Sequence, residues 1–170
     1  MSLNKLSRVI KAASDAAFTP ESFDKGDGFE EYTRKYIFPK PDYTIVHKSH
    51  NYASNKEDFI ESSLWPDYWF RCNKTKQEFF VECKWRSWFE GQEKLQWCKD
   101  LNQLQRYKGY EIDRPVYVLL GINGKPSRPE YLSLFPISSA EYIGLYESFL
   151  EKYDIGLLTA IKSQFLFELQ

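Results

Sequence analysis

The feature that most constrains the fold is the segment from Trp65 to Arg86, WPDYWFRCNKTKQEFFVECKWR, which has the pattern of a β-hairpin. Aromatic and β-branched residues fill its two arms, PDYWFRC and QEFFVECKWR, and the polar run NKTK between them is typical of a turn. Three charged residues, Asp67, Glu82 and Lys84, interrupt these arms. A half-buried hairpin therefore has to accommodate two carboxylates and an ammonium close together.

The remaining segments predict a single α/β domain over residues 1–170. Helical spacing of apolar residues predicts helices over residues 3–18, from about Asp27 to before Pro39, from about Glu93 to Tyr110, and over residues 138–153. Strands are predicted at DYTIVHKS (42–49), RPVYVLLGI (114–122) and YLSLFPI (131–137), with NGKPSRPE (123–130) as a turn between the last two. HNYASNKEDFIESSLW (50–65) reads as a polar loop. The resulting order, α, α, β, β, β, α, β, β, α, predicts a mixed central sheet flanked by helices.

Composition excludes several classes of protein. Of 170 residues, 42% are hydrophobic and 18% aromatic, which excludes a disordered chain, and the net charge of -1 gives no global attraction to nucleic acid. The odd number of cysteines, Cys72, Cys83 and Cys98, argues against a disulfide framework, and together with His47 and His50 they lack the paired spacing of a zinc site. No apolar run is long enough for a signal peptide or a membrane span, so we expect a cytoplasmic protein without a membrane partner.

The charged residues of the hairpin can be placed by strand periodicity. Alternate side chains of a strand share a face, so Glu82 and Lys84 should lie together while Cys83 points into the core. Pairing through the NKTK turn should bring Asp67 beside them. Two carboxylates this close favour a hard cation such as Mg²⁺ between them, and a neighbouring ammonium can hold a water molecule or a phosphate. A cross-strand ion pair at the surface is the alternative.

The full combination of motifs resembles the PD-(D/E)xK nuclease superfamily. Pro66-Asp67 is followed, after fourteen intervening residues, by Glu82-Cys83-Lys84 inside a hydrophobic strand. The segment KGDGFEEY is similar to the first core helix of the family, in which Glu30 matches the acidic residue that leans toward the metal. Gln103 and Tyr107 resemble the QxxxY motif on the helix after ExK. Residues 1–20 and 123–170 match nothing family-wide.

The resemblance implies a restriction-endonuclease-like core (αβββαβ) over about residues 25–122, and metal-dependent hydrolysis of phosphodiester bonds. Asp67, Glu82 and the Cys83 carbonyl would bind Mg²⁺ or Mn²⁺, and Glu30 would act on the metal directly or through water. Lys84 would orient or deprotonate the attacking water and stabilise the charge on the phosphate. Gln103 and Tyr107 would position the phosphate or the nucleic-acid backbone.

The expected partner is nucleic acid, with DNA favoured over RNA and an endonuclease favoured as the activity; a homodimer would suit cutting of two strands. From Arg71 to Lys108 there are nine Lys or Arg residues against five acidic ones, as suits a surface that faces a duplex. The candidate nucleic-acid-binding residues are Lys74, Lys76, Arg86, Arg106 and Lys108. Trp85, Trp88 and Phe89 could stack on bases or fill the core, and core filling is favoured for Trp85, which shares the strand face of Cys83. The alternative function is a catalytically silent domain of the same fold that binds nucleic acid or protein.

Overall fold

The computed structural model describes residues 24–49, 64–157 and 160–169. Its strands are β1 (Tyr43–Lys48), β2 (Tyr68–Cys72), β3 (Glu78–Arg86), β4 (Leu95–Gln96), β5 (Val116–Lys125), β6 (Arg128–Pro136) and β7 (Gly144–Leu145). Its α-helices are α1 (Asp24–Tyr32), α2 (Leu101–Tyr110), α3 (Glu147–Lys152) and α4 (Ser163–Glu168), with a π-helical turn at Thr33–Ile37 and a 3₁₀ turn at Ile137–Ser139. Among these residues, no helix is long and apolar enough to cross a membrane.

Five strands form one mixed sheet in the order β1-β2-β3-β5-β6. The first three strands form an antiparallel meander, and β5 pairs in parallel with β3 and antiparallel with β6. The parallel pair needs a crossover connection, which the segment containing α2 supplies. The predicted α/β fold with a mixed central sheet is confirmed. The predicted N-terminal helix (3–18) and nearly all of the predicted polar loop (50–65) lie outside the described residues.

The sheet is buried on both faces. Val116, Val118 and Leu120 of β5 belong to one hydrophobic core, and Tyr117 and Leu119 belong to the other. This alternation explains why the central strand reads as a continuous apolar run. The first core lies under α2 and the second lies under α1.

A glycine of β5 sets how closely α1 approaches the sheet. A Cβ atom added at Gly121 would lie 2.5 Å from the Phe29 ring of α1, a distance at which side chains cannot coexist. The absence of a side chain at Gly121 therefore lets Phe29 pack directly against β5. Glu30, the next residue of α1, is placed by this contact.

The predicted helix from Glu93 to Tyr110 is wrong in its first part. Helix α2 begins only at Leu101, where the Asp100 side chain accepts a hydrogen bond from the Gln103 main-chain N–H at 2.9 Å. This is the usual way for an aspartate to cap a helix. Upstream, Leu95 and Trp97 are buried, and β4 pairs with β7. Burial of these two side chains in an extended segment outweighs the helical propensity of the local sequence.

The predicted helix over residues 138–153 is also largely wrong. Only α3 is helical; before it, β7 pairs with β4, and the Ile143 carbonyl accepts a hydrogen bond from the Trp97 N–H at 3.0 Å. The predicted turn over residues 123–130 is shorter than expected, because β5 and β6 extend into it and leave only Pro126 and Ser127 between them. Both differences arise from pairing with distant or neighbouring strands, which the local pattern does not encode.

Candidate functional site

The hairpin brings Asp67 to the middle of β3. Residue Tyr68 pairs with Val81 in the antiparallel register, so Asp67, just before β2, lies beside Glu82 and Cys83. The Asp67 Oδ2 atom accepts a hydrogen bond of 2.7 Å from the Cys83 main-chain N–H. This bond fixes the carboxylate across the strand that carries the ExK motif.

Strand periodicity places the ExK residues as the sequence predicts. Glu82 and Lys84 share a face, and the Lys84 ammonium forms an ion pair with Glu82 Oε1. Cys83 points to the opposite face and is buried, with its thiol donating to Thr33 Oγ1 at 3.5 Å. The pleat of the strand therefore separates Glu82 and Lys84 from the buried thiol.

Glu82 carries an unsatisfied oxygen in the interior. The residue is only 1% exposed, and in the described part of the chain its Oε2 atom has no hydrogen-bond partner. A buried carboxylate oxygen without a partner is costly, since it has given up its hydration. A cation or an additional donor at Oε2 would remove this cost.

Glu30 approaches the same site from α1. It is buried, and its Oε2 atom lies 3.1 Å from the Lys48 ammonium. Lys48 stands at the end of β1, opposite Tyr68, and its ammonium lies 5.4 Å from the Tyr68 ring centre. The sequence does not point to Lys48, because only the pairing of β1 with β2 brings this residue near Asp67.

The charged groups of the site, together with burial, shift one another's pKa values. Burial, followed by the neighbouring Glu82 charge, raises the pKa of Asp67 well above its ordinary value. Burial also raises the pKa of Glu30, although Lys48 opposes this shift. For Lys84, burial lowers the pKa, but the charges of Glu82 and Asp67 outweigh it and the net pKa is raised. Lys84 is therefore held as an ammonium.

Gln103 and Tyr107 lie behind Glu82 on α2. The Gln103 amide nitrogen donates to the Tyr107 hydroxyl at 3.0 Å, and its oxygen accepts from the Lys99 main-chain N–H at 3.0 Å. Tyr107 is buried, and burial followed by the Glu82 charge raises its pKa. Tyr107 therefore lies within electrostatic reach of the Glu82 carboxylate, and Gln103 holds the Tyr107 hydroxyl.

A cleft of about 330 Å³ opens between α1 and the second half of β3. Its lining residues are Gly26, Glu30, Asp67, Cys83, Lys84, Trp85, Arg86 and Ser87. Three of the predicted site side chains, Glu30, Asp67 and Lys84, thus share one cleft, while Glu82, Gln103 and Tyr107 are not among its lining residues.

The aromatic residues after the ExK motif have different environments. Trp85 is half-buried in the cleft, where its indole N–H donates to the Asn123 carbonyl at 3.1 Å. Trp88 is 1% exposed and belongs to the core, and Phe89 is 42% exposed. Of the three, Trp85 is the aromatic side chain that the cleft presents, and its predicted place in the core is correct only in part, since it packs against the core while lining the cleft.

The predicted nucleic-acid-binding residues lie in three places: the cleft, the turn between β2 and β3, and α2. Arg86 lines the cleft, but its guanidinium donates to the carbonyls of Gln96 and Trp97 at 3.2 and 2.9 Å. Lys74 and Lys76 are exposed on the turn between β2 and β3, at the opposite end of the hairpin from Asp67.

The other two lie on α2. Arg106 donates to the Leu64 carbonyl at 3.0 Å, and Lys108 is half-exposed. Arg86 and Arg106 therefore have structural contacts of their own.

The oxygen atoms of the site are of the kind that a hard divalent cation prefers. Carboxylate oxygens such as those of Asp67 and Glu82, and a carbonyl oxygen such as that of Cys83, are ligands that Mg²⁺ or Mn²⁺ accepts. The Glu82 Oε2 atom, which has no hydrogen-bond partner among the described residues, is available to coordinate a metal. Within residues 24–49, 64–157 and 160–169, no cluster of three or more His, Cys, Asp or Glu residues is arranged to hold a metal. A metal at this site would have Asp67, Glu82 and the Cys83 carbonyl as its protein ligands, the set that the sequence predicts, with water in the other positions.

Comparison with known proteins assigns no family to the chain. It matches no protein-family model, and no curated protein is significantly similar to it in sequence. A function for this site therefore has to be argued from the arrangement of Asp67, Glu82 and Lys84.

Proposed function

We propose that the protein is a metal-dependent nuclease with a restriction-endonuclease-like core, which hydrolyses phosphodiester bonds of nucleic acid, most readily as a DNA endonuclease using Mg²⁺ or Mn²⁺. The observation that carries this proposal is the environment of the buried Glu82 carboxylate. Its Oε1 atom forms an ion pair with Lys84, its Oε2 atom has no hydrogen-bond partner among the described residues, and the Asp67 carboxylate lies beside it. A second carboxylate beside a purely structural Glu82–Lys84 ion pair would be unfavourable, because neighbouring negative charges repel each other.

Each side chain has a distinct role in this mechanism. Asp67 and Glu82 would hold the divalent ion, which when bound supplies Lewis acidity and a coordinated water of lowered pKa. The Lys84 ammonium would orient the attacking water and offset the negative charge that develops on the phosphate. Because the pKa of Lys84 is raised, this electrostatic role fits it better than that of a base that removes a proton.

Residues behind the site would keep Glu82 in place. Tyr107 lies close to the Glu82 carboxylate, and Gln103 donates to the Tyr107 oxygen, so the phenolic O–H is left to point elsewhere. Since Glu82 Oε2 has no hydrogen-bond partner among the described residues, the acceptor available to this O–H is Glu82 Oε1. We therefore assign Gln103 and Tyr107 a positioning role rather than direct contact with the phosphate.

The second candidate function is a silent binding domain of the same fold. The observation that favours it is that both glutamates already have an ammonium partner, Glu30 with Lys48 and Glu82 with Lys84. These two glutamates would then be neutralised by lysines alone. The basic segment from Arg71 to Lys108 would hold the nucleic acid or a protein partner.

A cleavage screen with matched variants separates the two functions. Circular and linear DNA and RNA, single- and double-stranded, are incubated with Mg²⁺, Mn²⁺ or EDTA, and Mn²⁺ binding is measured by calorimetry. We expect Asp67→Ala and Glu82→Ala to lose Mn²⁺ binding and cleavage together. Lys84→Ala should retain Mn²⁺ binding but cleave at least about 100-fold more slowly, the cost of losing one electrostatic donor to the transition state.

The control is Glu141→Ala, which removes an exposed carboxylate in the loop before β7. It should bind Mn²⁺ and cleave like the parent. A parent protein that binds nucleic acid but leaves every substrate intact with either metal would support the binding domain instead. Cleavage by Lys84→Ala at the parental rate would contradict the role of Lys84, even if the metal binds.

A further inference from the structure

We propose that Lys48 couples metal binding to substrate binding: its ammonium contacts Glu30 until a divalent cation binds, and then transfers to a phosphate of the nucleic acid. This inference rests on the proposed nuclease function and adds a residue from β1 that regulates the same site. Its physical basis is the position of Lys48, which pairs with Glu30 at the edge of the group of carboxylates formed by Glu30, Asp67 and Glu82.

The end of β1 is fixed to the segment that carries Asp67. Ser49, which follows Lys48, donates its main-chain N–H to the Asp67 carbonyl at 3.0 Å and its hydroxyl to the Pro66 carbonyl at 2.9 Å. Lys48 itself pairs with Tyr68. The backbone of Lys48 is thus held beside the site, and only its side chain has to move.

The two partners of this ion pair differ in how free they are. The Lys48 side chain is 42% exposed, whereas the Glu30 side chain is 11% exposed. The ammonium therefore lies at the rim of the site and can turn to solvent or to a ligand, while the carboxylate stays. By contrast, the Lys84 side chain is 17% exposed and its partner Glu82 is buried, so that pair has less freedom to separate.

Charge balance gives the exchange its direction. Three carboxylates, Glu30, Asp67 and Glu82, face the ammonium groups of Lys48 and Lys84 and, near Glu82, the Arg86 guanidinium, so a bound divalent cation adds positive charge to a group that is already balanced. A divalent cation bound by Asp67 and Glu82 repels the nearby ammonium of Lys48 and attracts Glu30 toward itself or its water shell. A phosphate beside the metal offers Lys48 a new anionic partner. By thermodynamic linkage, a phosphate that draws Lys48 from Glu30 must strengthen metal binding in turn.

Calorimetric Mn²⁺ titration of Lys48 variants tests the first half of this coupling. Lys48→Ala removes an ammonium that competes with the metal, so it should bind Mn²⁺ about two- to fivefold more tightly than the parent, the range expected from a partly exposed ion pair. Lys48→Arg keeps the charge and should bind Mn²⁺ like the parent. Lys152→Ala, which removes an exposed lysine of α3, serves as the matched control and should also be unchanged.

Anisotropy with a fluorescent DNA oligonucleotide tests the second half. The titration is made in Mn²⁺ with Lys84→Ala as the background, so that the substrate survives. Adding Lys48→Ala should weaken DNA binding about two- to fivefold, and Lys48→Arg should restore it. Opposite effects on metal and DNA are not expected from a variant that merely loosens the site, because loosening would weaken both.

The outcomes separate this inference from the proposed function. If Lys48→Ala binds Mn²⁺ no more tightly than the parent while the parent cleaves nucleic acid, the coupling is wrong and the nuclease stands. If Lys48→Ala binds Mn²⁺ more tightly but DNA equally well, the transfer to a phosphate is wrong. If the parent neither binds Mn²⁺ nor cleaves any substrate, the nuclease proposal fails and the coupling fails with it.

Discussion

At the scale of the residue, the site keeps charges in places where charge is costly. Asp67 is held near Glu82, and burial together with that neighbour favours its protonated form. Burial also raises the pKa of Glu30, although the Lys48 ammonium opposes this shift. Functional sites commonly store such unfavourable electrostatics, because a ligand that relieves them binds more tightly.

This arrangement predicts that Asp67→Asn stabilises the protein in EDTA at neutral pH. A carboxyl with a raised folded-state pKa costs nothing below the pKa of the unfolded chain, about 3.9 for Asp, and costs progressively more as the pH rises through the folded value. Asparagine can still accept the Cys83 hydrogen bond, but carries no charge. We expect the Tm of Asp67→Asn at pH 7 to exceed that of the parent by a few degrees, at about 2–4 °C per kcal/mol.

The pH series provides the check. The difference in Tm between Asp67→Asn and the parent should shrink toward pH 3, below the unfolded pKa of about 3.9, where the parental carboxyl is protonated in both states. The exposed Asp113→Asn, next to the start of β5, is the control and should follow the parent throughout. An Asp67→Asn variant that melts below the parent at pH 7 in EDTA would show that the carboxylate is a favourable part of the fold.

At the scale of the element, the position of α1 decides where Glu30 stands. Phe29 packs into the gap that Gly121 leaves on β5, so helix and sheet approach more closely than side chains would otherwise allow. Gly121 lies opposite Trp85 in the parallel register of β3 and β5. The same contact therefore sets the width of the cleft between α1 and β3.

Gly121→Ala should push α1 away from the sheet. The new methyl group would overlap the Phe29 ring, and overpacking of this kind typically costs about 1–3 kcal/mol. Urea unfolding should show this loss, and Mn²⁺ binding should also change if Glu30 contributes to it. Gly109→Ala in α2, where an added Cβ meets nothing within 4 Å, is the matched control and should be neutral or stabilised by up to about 1 kcal/mol. Equal stability of Gly121→Ala and the parent would contradict the close contact.

What the sequence predicts at this scale is what local patterns encode. The alternation of residues in the second arm places Glu82 and Lys84 on one face and Cys83 on the other, and the structure confirms that periodicity. The β4–β7 pairing could not be predicted, because Leu95 and Leu145 are distant in the chain and each segment alone resembles a helix. The position of Lys48 beside Glu30 cannot be predicted from the sequence for a related reason, because it depends on how β1 pairs with β2 and how α1 packs on the sheet.

At the scale of the whole molecule, charge is distributed along the hairpin rather than gathered at the site. The net charge is -1, and the ammonium and guanidinium groups at the cleft, Lys84 and Arg86, are already bound to protein acceptors. The exposed cations Lys74 and Lys76 lie at the other end of the hairpin. The five residues of β2 separate them from Asp67 by about 17 Å at the usual rise of a strand.

A nucleic acid that lies along the hairpin can contact both ends, because about 17 Å corresponds to roughly five base pairs of duplex at 3.4 Å each. We therefore expect the double variant Lys74→Ala/Lys76→Ala to weaken binding of all sequences similarly, measured by anisotropy in EDTA, where no cleavage occurs. Each lost phosphate contact lowers the slope of log K against log salt by about 0.9, so the slope should fall in magnitude by about 1.8. Lys152→Ala should leave the slope unchanged. An unchanged slope in the double variant would mean that the nucleic acid enters the cleft without following β2 and β3, since neither lysine would then displace a counterion.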